Sequence, residues 1–155
     1  MTTVQATIRA PRADVWDALV DVRTYPTWLL GARRIRSVDD GWPAPGTAFH
    51  HVVGLGPLTI ADATRAVAVD EGRRLELEVR ARPAIVATVV FQLRDVVEGT
   101  EVTMEEHPTG IHRLLAPVAA PLAQPRNRAS LARLEERVRD RLAGRDPAPP
   151  ADDEG

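Results

Sequence analysis

The hydrophobic period of this chain changes from two to helical, back to two, and to helical again, and that order leaves few ways to fold it. Val4, Ala6 and Ile8 alternate with Gln5, Thr7 and Arg9, which predicts a half-buried strand ending near Ala10. Pro11 suits the first turn of a helix, and Asp14 puts a carboxylate near its positive end. Val15, Trp16, Leu19 and Val20 then recur at helical spacing. Arg23 to Tyr25 continue from that helix, Pro26 discourages more of it, and Trp28, Leu29 and Leu30 cluster before Gly31.

The middle of the chain reads as hairpins. Ala32 to Val38 is a strand whose Arg33, Arg34 and Arg36 mark an exposed edge, and Asp39 to Gly46 is a loop by its turn chemistry. Thr47 to Leu55 and Leu58 to Val69 pair through Gly54-Leu-Gly-Pro57. In Arg74 to Arg82, Leu75, Leu77, Val79 and Ala81 oppose Glu76, Glu78, Arg80 and Arg82, so one side is wet. After Pro83, Ala84 to Asp95 sets Ile85, Ala87, Val89, Phe91 and Leu93 on one face. Glu98-Gly99 turns into Thr100 to His107, where Val102 and Met104 alternate with Thr103 and Glu105.

From Ile111 the pattern is helical. Leu114, Leu115, Val118 and Leu122 form one stripe, interrupted by Pro117, Pro121 and Pro125. Arg126 to Ala143 is the better helix, with Leu131, Leu134, Val138 and Leu142 on one face and Gly144 as its stop. The prediction is one domain over 1–144, of α+β class, followed by a Pro-rich, acidic and disordered tail over 145–155.

Several local stretches carry a family resemblance. Ala10-Pro-x-x-x-Val-Trp-x-x-Leu-x-Asp21 followed by Tyr25-Pro-x-Trp28 resembles the opening of the START-like (SRPBCC) superfamily, and of its polyketide cyclase/dehydrase-like members in particular. Asp70-Glu-Gly-Arg-Arg-Leu75 resembles that family's hairpin turn, and Gly99-Thr-Glu-Val-Thr-Met-Glu-Glu106 its last strand. Arg126-Asn127, Ser130-Leu131 and Leu134 resemble the start of its final helix. The resemblance implies a helix-grip fold. A bent antiparallel sheet of about six to seven strands would wrap around a long C-terminal helix and leave an internal cavity between them. It implies an apolar small molecule as partner and supplies no universal catalytic set.

Composition removes much chemistry. There is no Cys, so thiol nucleophiles, disulfides and thiolate metal sites are excluded, and all twenty basic residues are Arg, which excludes Schiff-base lysines. Ser37 and Ser130 are the only serines, and neither sits in a Gly-x-Ser-x-Gly turn. What remains is His, Asp, Glu, Arg and Tyr25, suited to proton transfer without a covalent intermediate. Net charge of -2 gives no bulk drive toward nucleic acid or membrane, and no apolar run is long enough to span a bilayer. A cytoplasmic location is the expectation. Oligomeric state is left open.

Parity names the site candidates. Phe49, His51 and Val53 share a face, and Val102 and Met104 lead to Glu106, so His51 and Glu106 form a candidate acid/base pair inside an apolar cavity. Otherwise Glu106 would meet solvent or an Arg at the strand's end. Asp62 faces inward if it follows Ile60. Val67 and Val69 favour the other parity, with Asp62 outward and Arg65 inward as an anion anchor, and a bulge would make both locally true. The cavity wall is assigned to Tyr25, Trp28, Phe49, Val53, Arg65, Leu77, Val79, Val89, Phe91, Met104 and Leu115. Trp42 is a further aromatic near the open end, and His107 and His112 are expected to be exposed. His50 and His51 are adjacent on a strand and point apart, so no metal site is expected. No dinucleotide fingerprint opens a helix and no cofactor is expected. The arginines of the final helix interleave with Glu135, Glu136 and Asp140 and read as a solvated face, not a nucleic-acid surface.

Three functions fit these residues. The favoured one is a binder or carrier of a lipid, quinone or polyketide-like molecule. The second is an aromatase/cyclase or dehydratase-like enzyme using His51 and Glu106, with Arg65 or Tyr25. The third is a protein-interaction module whose cavity is filled.

Overall fold

The computed structural model describes residues 1–55, 57–81 and 85–144. Seven strands form one antiparallel sheet: β1 (Thr2–Ile8), β2 (Ala32–Val38), β3 (Ala48–Leu55), β4 (Leu58–Asp70), β5 (Arg74–Ala81), β6 (Ile85–Val96) and β7 (Gly99–Pro108). Strands β2 to β7 are successive neighbours, and β1 closes on β7, giving the order β1-β7-β6-β5-β4-β3-β2. The chain travels from one sheet edge to the other through α1 (Arg12–Val20), a 3₁₀ turn (Val22–Thr24) and the one-turn helix α2 (Tyr25–Trp28). A second 3₁₀ turn (Gly110–Leu115) leads into α3 (Ala116–Leu142). This is the helix-grip arrangement, a curved open sheet holding a long C-terminal helix. The expected tail, 145–155, lies outside the described residues.

Burial follows the alternation. Val4 and Ile8 of β1, Val15 and Leu19 of α1, and Leu131, Leu134 and Val138 of α3 are all buried in one cluster. On β5, Leu75 and Leu77 join that core, while Glu76 and Glu78 pair with Arg74 and Arg80 at 2.6 and 2.5 Å on the other face. Such half-exposed pairs contribute little, ~0–1 kcal/mol each, so the buried aliphatic face carries the strand. Helix α3 packs on β1, α1 and α2, which seats its C-terminal half.

The prolines behave differently from the sequence expectation. Pro26 lies in the first turn of α2, where a missing N–H costs no hydrogen bond. Helix α3 runs through Pro121 and Pro125 without ending. Pro117, Pro121 and Pro125 are spaced by four and all exposed, so the carbonyls that lose their donors stack on one outer face within reach of water. The stripe of Leu114, Val118 and Leu122 faces outward too, at 76 to 78% exposure, and covers no core.

Gly99 explains the last-strand motif. It opens β7 at φ +144°, and a Cβ there would overlap the carbonyl oxygen of Ile8 and approach the Ala10 nitrogen at 2.9 Å. The next residue, Thr100, donates its hydroxyl to the Ala10 carbonyl at 2.8 Å. The turn between β1 and α1 therefore rests directly on this glycine. Gly99→Ala is expected to lower stability by roughly 2 kcal/mol or more, since backbone and not a movable side chain blocks it. Urea denaturation checks this; a midpoint unchanged from the parent would contradict it.

Candidate functional site

Between the concave sheet face and the helices lies a cavity of about 290 Å³. That is near the lower end of the ~300–1,000 Å³ typical of small-ligand sites. Its wall takes Phe49 and Val53 from β3, Leu77 and Val79 from β5, Ala87, Val89 and Phe91 from β6, and Met104 from β7. Tyr25 and the Leu29–Ala32 segment close it from the α2 side, with Ile35 of β2. Seven side chains expected there from alternation alone, Phe49, Val53, Leu77, Val79, Val89, Phe91 and Met104, do line it, and so does Tyr25.

The aromatic residues near the mouth are mostly structural. Trp28 is fully buried, stacks edge-on with Tyr25 at 4.9 Å and Phe91 at 6.5 Å, and is absent from the cavity wall. Trp42 donates its indole N–H to the Val20 carbonyl at 2.9 Å and packs on Phe49 at 5.0 Å. Tyr25 lines the cavity with its ring, while its hydroxyl donates to the Leu19 carbonyl at 2.7 Å. Burial, and secondarily the nearby Asp21 carboxylate, push its phenol far above the ordinary value, so it stays protonated. The side chains of Leu115 and His112 lie outside the described residues; His107 is half-buried and meets Glu105 at 3.2 Å.

Strand β4 resolves the parity question against the favoured choice. Cross-strand partners share a face, and the register pairs Phe49 with Thr64 and His51 with Asp62. Asp62 therefore lies on the side of His51, and Arg65 is exposed, with its guanidinium 3.4 Å from the Gly46 carbonyl. Arg65 reaches no part of the cavity wall. The misleading residues were Val67 and Val69: a bulge between Ala66 and Ala68 resets the alternation. Val69 then packs against the core while Val67 is 47% exposed.

Polar groups enter the cavity in two places. His51 is buried at 3% exposure, and its Nε2 shares a hydrogen bond with the Thr64 hydroxyl at 2.9 Å. Among the described residues its Nδ1 has no partner. Burial lowers the His51 pKa; the Asp62 charge opposes that shift without reversing it, and His50 adds to it slightly. The imidazole is accordingly neutral, with one nitrogen able to donate and the other to accept.

The other polar place joins β7 to α3. Glu106 Oε2 accepts from the Arg126 guanidinium at 2.6 Å and from the Asn127 amide at 2.9 Å. Arg126 Nε also donates to Asn127 Oδ1 at 3.1 Å, so the three side chains form a closed ring of bonds. Three residues further on, Ser130 accepts from the Leu30 backbone N–H at 3.1 Å and ties the α2 exit to the same helix. His51 and Glu106 lie four strands apart, roughly 19 Å measured along the sheet. Both line the cavity, but each bonds its own partners. They do not form a hydrogen-bonded acid/base pair.

Sequence reasoning missed Arg126, Asn127 and Thr64. The first two stood in a motif that spoke only for the fold, and their position before an Arg-rich surface hid that they point the other way. Asn127 is 1% exposed. A buried Asn needs acceptors and donors nearby, and the strand-end Glu106 was the available one.

Comparison with known proteins agrees with this architecture. Residues 1–139 match the family described as "Polyketide cyclase / dehydrase and lipid transport", and the chain belongs to that family. No curated protein matches it. Among solved structures, a protein from Rhodobacter sphaeroides is similar at 21% identity, over 92% of this chain and 91% of that one, with a TM-score of 0.69. Ara h 8.0201 is similar at 16% identity over 89% and 96% of the two chains, TM-score 0.68. The di-domain ARO/CYC StfQ of the steffimycin biosynthetic pathway is 10% identical, with 91% of this chain and 51% of that one covered and a TM-score of 0.71. At these identities the likeness is one of fold.

The depressed His51 pKa has a consequence for pH. Above the ordinary histidine value of ~6.5 both folded and unfolded imidazoles are neutral and the group has no effect. Below it the unfolded chain takes up a proton that the folded chain refuses, so stability falls as pH drops. Between pH ~7.5 and ~5.5 the urea midpoint of the parent should fall more than that of His51→Gln. Equal slopes would show that His51 is not held neutral.

Proposed function

We propose that the cavity binds an uncharged, largely apolar small molecule carrying hydrogen-bonding oxygens. One observation supports this above others: the wall is aliphatic and aromatic, and its polar groups carry no net charge. His51 is neutral, and Glu106 is offset by Arg126. Placing a carboxylate or ammonium ligand there would add an uncompensated charge to a low-dielectric site, which costs several kcal/mol, on the order of the effective penalty per buried ion. A hydroxyl or carbonyl would instead meet groups able to donate and accept. Family membership is consistent with a lipophilic partner.

A second reading has its own support. A buried neutral imidazole on the cavity wall is a competent proton acceptor for a carbonyl compound bound beside it, as a cyclase or dehydratase would need. Glu106 is a weaker candidate for the acid, because its Oε2 is already engaged by Arg126 and Asn127. Under the carrier reading His51→Ala and Glu106→Gln keep most affinity and no turnover is found; under the enzyme reading turnover collapses in His51→Ala.

Displacement of a neutral fluorescent lipophile, Nile red, tests binding itself. Uncharged polyoxygenated aromatics should displace it, and their carboxylated analogues should compete at least roughly tenfold less well, one decade per ~1.4 kcal/mol. Val89→Trp, which fills the cavity from β6, should abolish dye binding without lowering the melting temperature. Unchanged dye binding in that variant would sink the reading.

A further inference from the structure

We propose that the face bearing Ile111, Leu114, Val118 and Leu122 docks the protein on an anionic lipid surface. These four side chains are 72 to 78% exposed, and none contributes to the core. Val118 and Leu122 lie one turn apart on α3, with Leu114 one turn before them. Isolated exposed leucines are ordinary, but an apolar row running from the 3₁₀ turn (Ile111, Leu114) into the first turns of α3 (Val118, Leu122) is a surface awaiting a partner.

The charge around the row indicates which partner. The whole chain carries a net charge of -2, yet from His107 to Leu134 it contains no Asp or Glu and four Arg. Of these, Arg126 is engaged by Glu106, whereas Arg113, Arg128 and Arg133 are exposed. At 100° and 1.5 Å per residue, Arg128 and Arg133 fall roughly 80° and 60° to either side of the Val118 direction and about 9 and 16 Å beyond Leu122 along the axis, while Arg113 adjoins Leu114. An exposed apolar row with one arginine inside it, two beyond its end and no acid before Glu135 fits a helix lying in a membrane interface. The helix is not apolar enough to cross a bilayer, so docking would be peripheral.

The same charge argues against the obvious alternatives. A two-fold dimer through this face would set the arginine-flanked, acid-free surface against its own copy. The tail Arg145 to Gly155 is acidic but contains only Ala and Pro as apolar residues, too small to cover three Leu/Val positions. Docking here would bring lipid beside the cavity, since α3 enters the cavity wall at Arg126 and Asn127, four and five residues after Leu122. This inference does not rest on what the cavity holds.

Co-sedimentation of the full chain with sucrose-loaded vesicles tests it. The protein should pellet with phosphatidylcholine vesicles containing phosphatidylserine and far less with phosphatidylcholine alone, and high salt should release it. Arg113→Gln, Arg128→Gln and Arg133→Gln should each weaken binding roughly fivefold. The triple variant Leu114→Ser, Val118→Ser and Leu122→Ser should remove it while circular dichroism and Nile red binding in vesicle-free buffer stay unchanged. Failure to pellet with either vesicle, or pelleting unaffected by the serine or arginine variants, overturns the proposal. So does a dimer in analytical ultracentrifugation that the serine variant dissociates. Loss of dye binding with vesicle binding intact would instead count against the cavity reading alone.

Discussion

A cavity lined with aliphatic side chains persists in water only if the elements around it are held apart by something other than each other. Hydrophobic burial and dispersion favour closing such a space. Here the fixed points lie on α3. Its C-terminal half is seated by Leu131, Leu134 and Val138, each at or below 1% exposure, against β1 and α1. One turn earlier, the Glu106–Arg126–Asn127 ring bonds the helix to β7, and Ser130 bonds it to the α2 exit. The helix is thus clamped at one end of the cavity by packing and at its rim by hydrogen bonds, and cannot settle onto the sheet.

That arrangement also sets the chemistry. The ring spends the one carboxylate and the one guanidinium in the wall on each other, leaving no net charge. His51 is desolvated to neutrality on the far strands, where Asp62 is its cross-strand partner. The polar groups therefore select by hydrogen bonding and shape, while the aliphatic wall of β5 and β6 supplies the affinity. Elsewhere on the sheet, the Arg–Glu pairs on β5 face away from the core.

Much of this is legible in the sequence. Strict alternation in β5, whose other face is wet, and in β6 identified the inner wall, and His51 lies inward between Phe49 and Val53 as their shared parity predicts. The order of periods fixed the layer arrangement. What failed did so for identifiable reasons. Arg65 was turned inward because a bulge between Ala66 and Ala68 makes the end of β4 report the wrong parity for its middle. Trp28 was assigned to the cavity because an aromatic in a connection carries no period, and only tertiary packing buries it. Arg126 and Asn127 were missed because a helix that borders both core and cavity has two inner faces, and a hydrophobic count sees one. The prolines of α3 were read as breaks, whereas their spacing of four confines the lost hydrogen bonds to a solvent-facing side.

Native mass spectrometry of the chain as purified from cells addresses the central claim most directly. The account predicts a bound, uncharged lipophile at up to one per chain, lost from Val89→Trp while the protein stays folded. A parent protein that remains ligand-free when offered neutral lipophiles, or that retains only carboxylated ones, would contradict it.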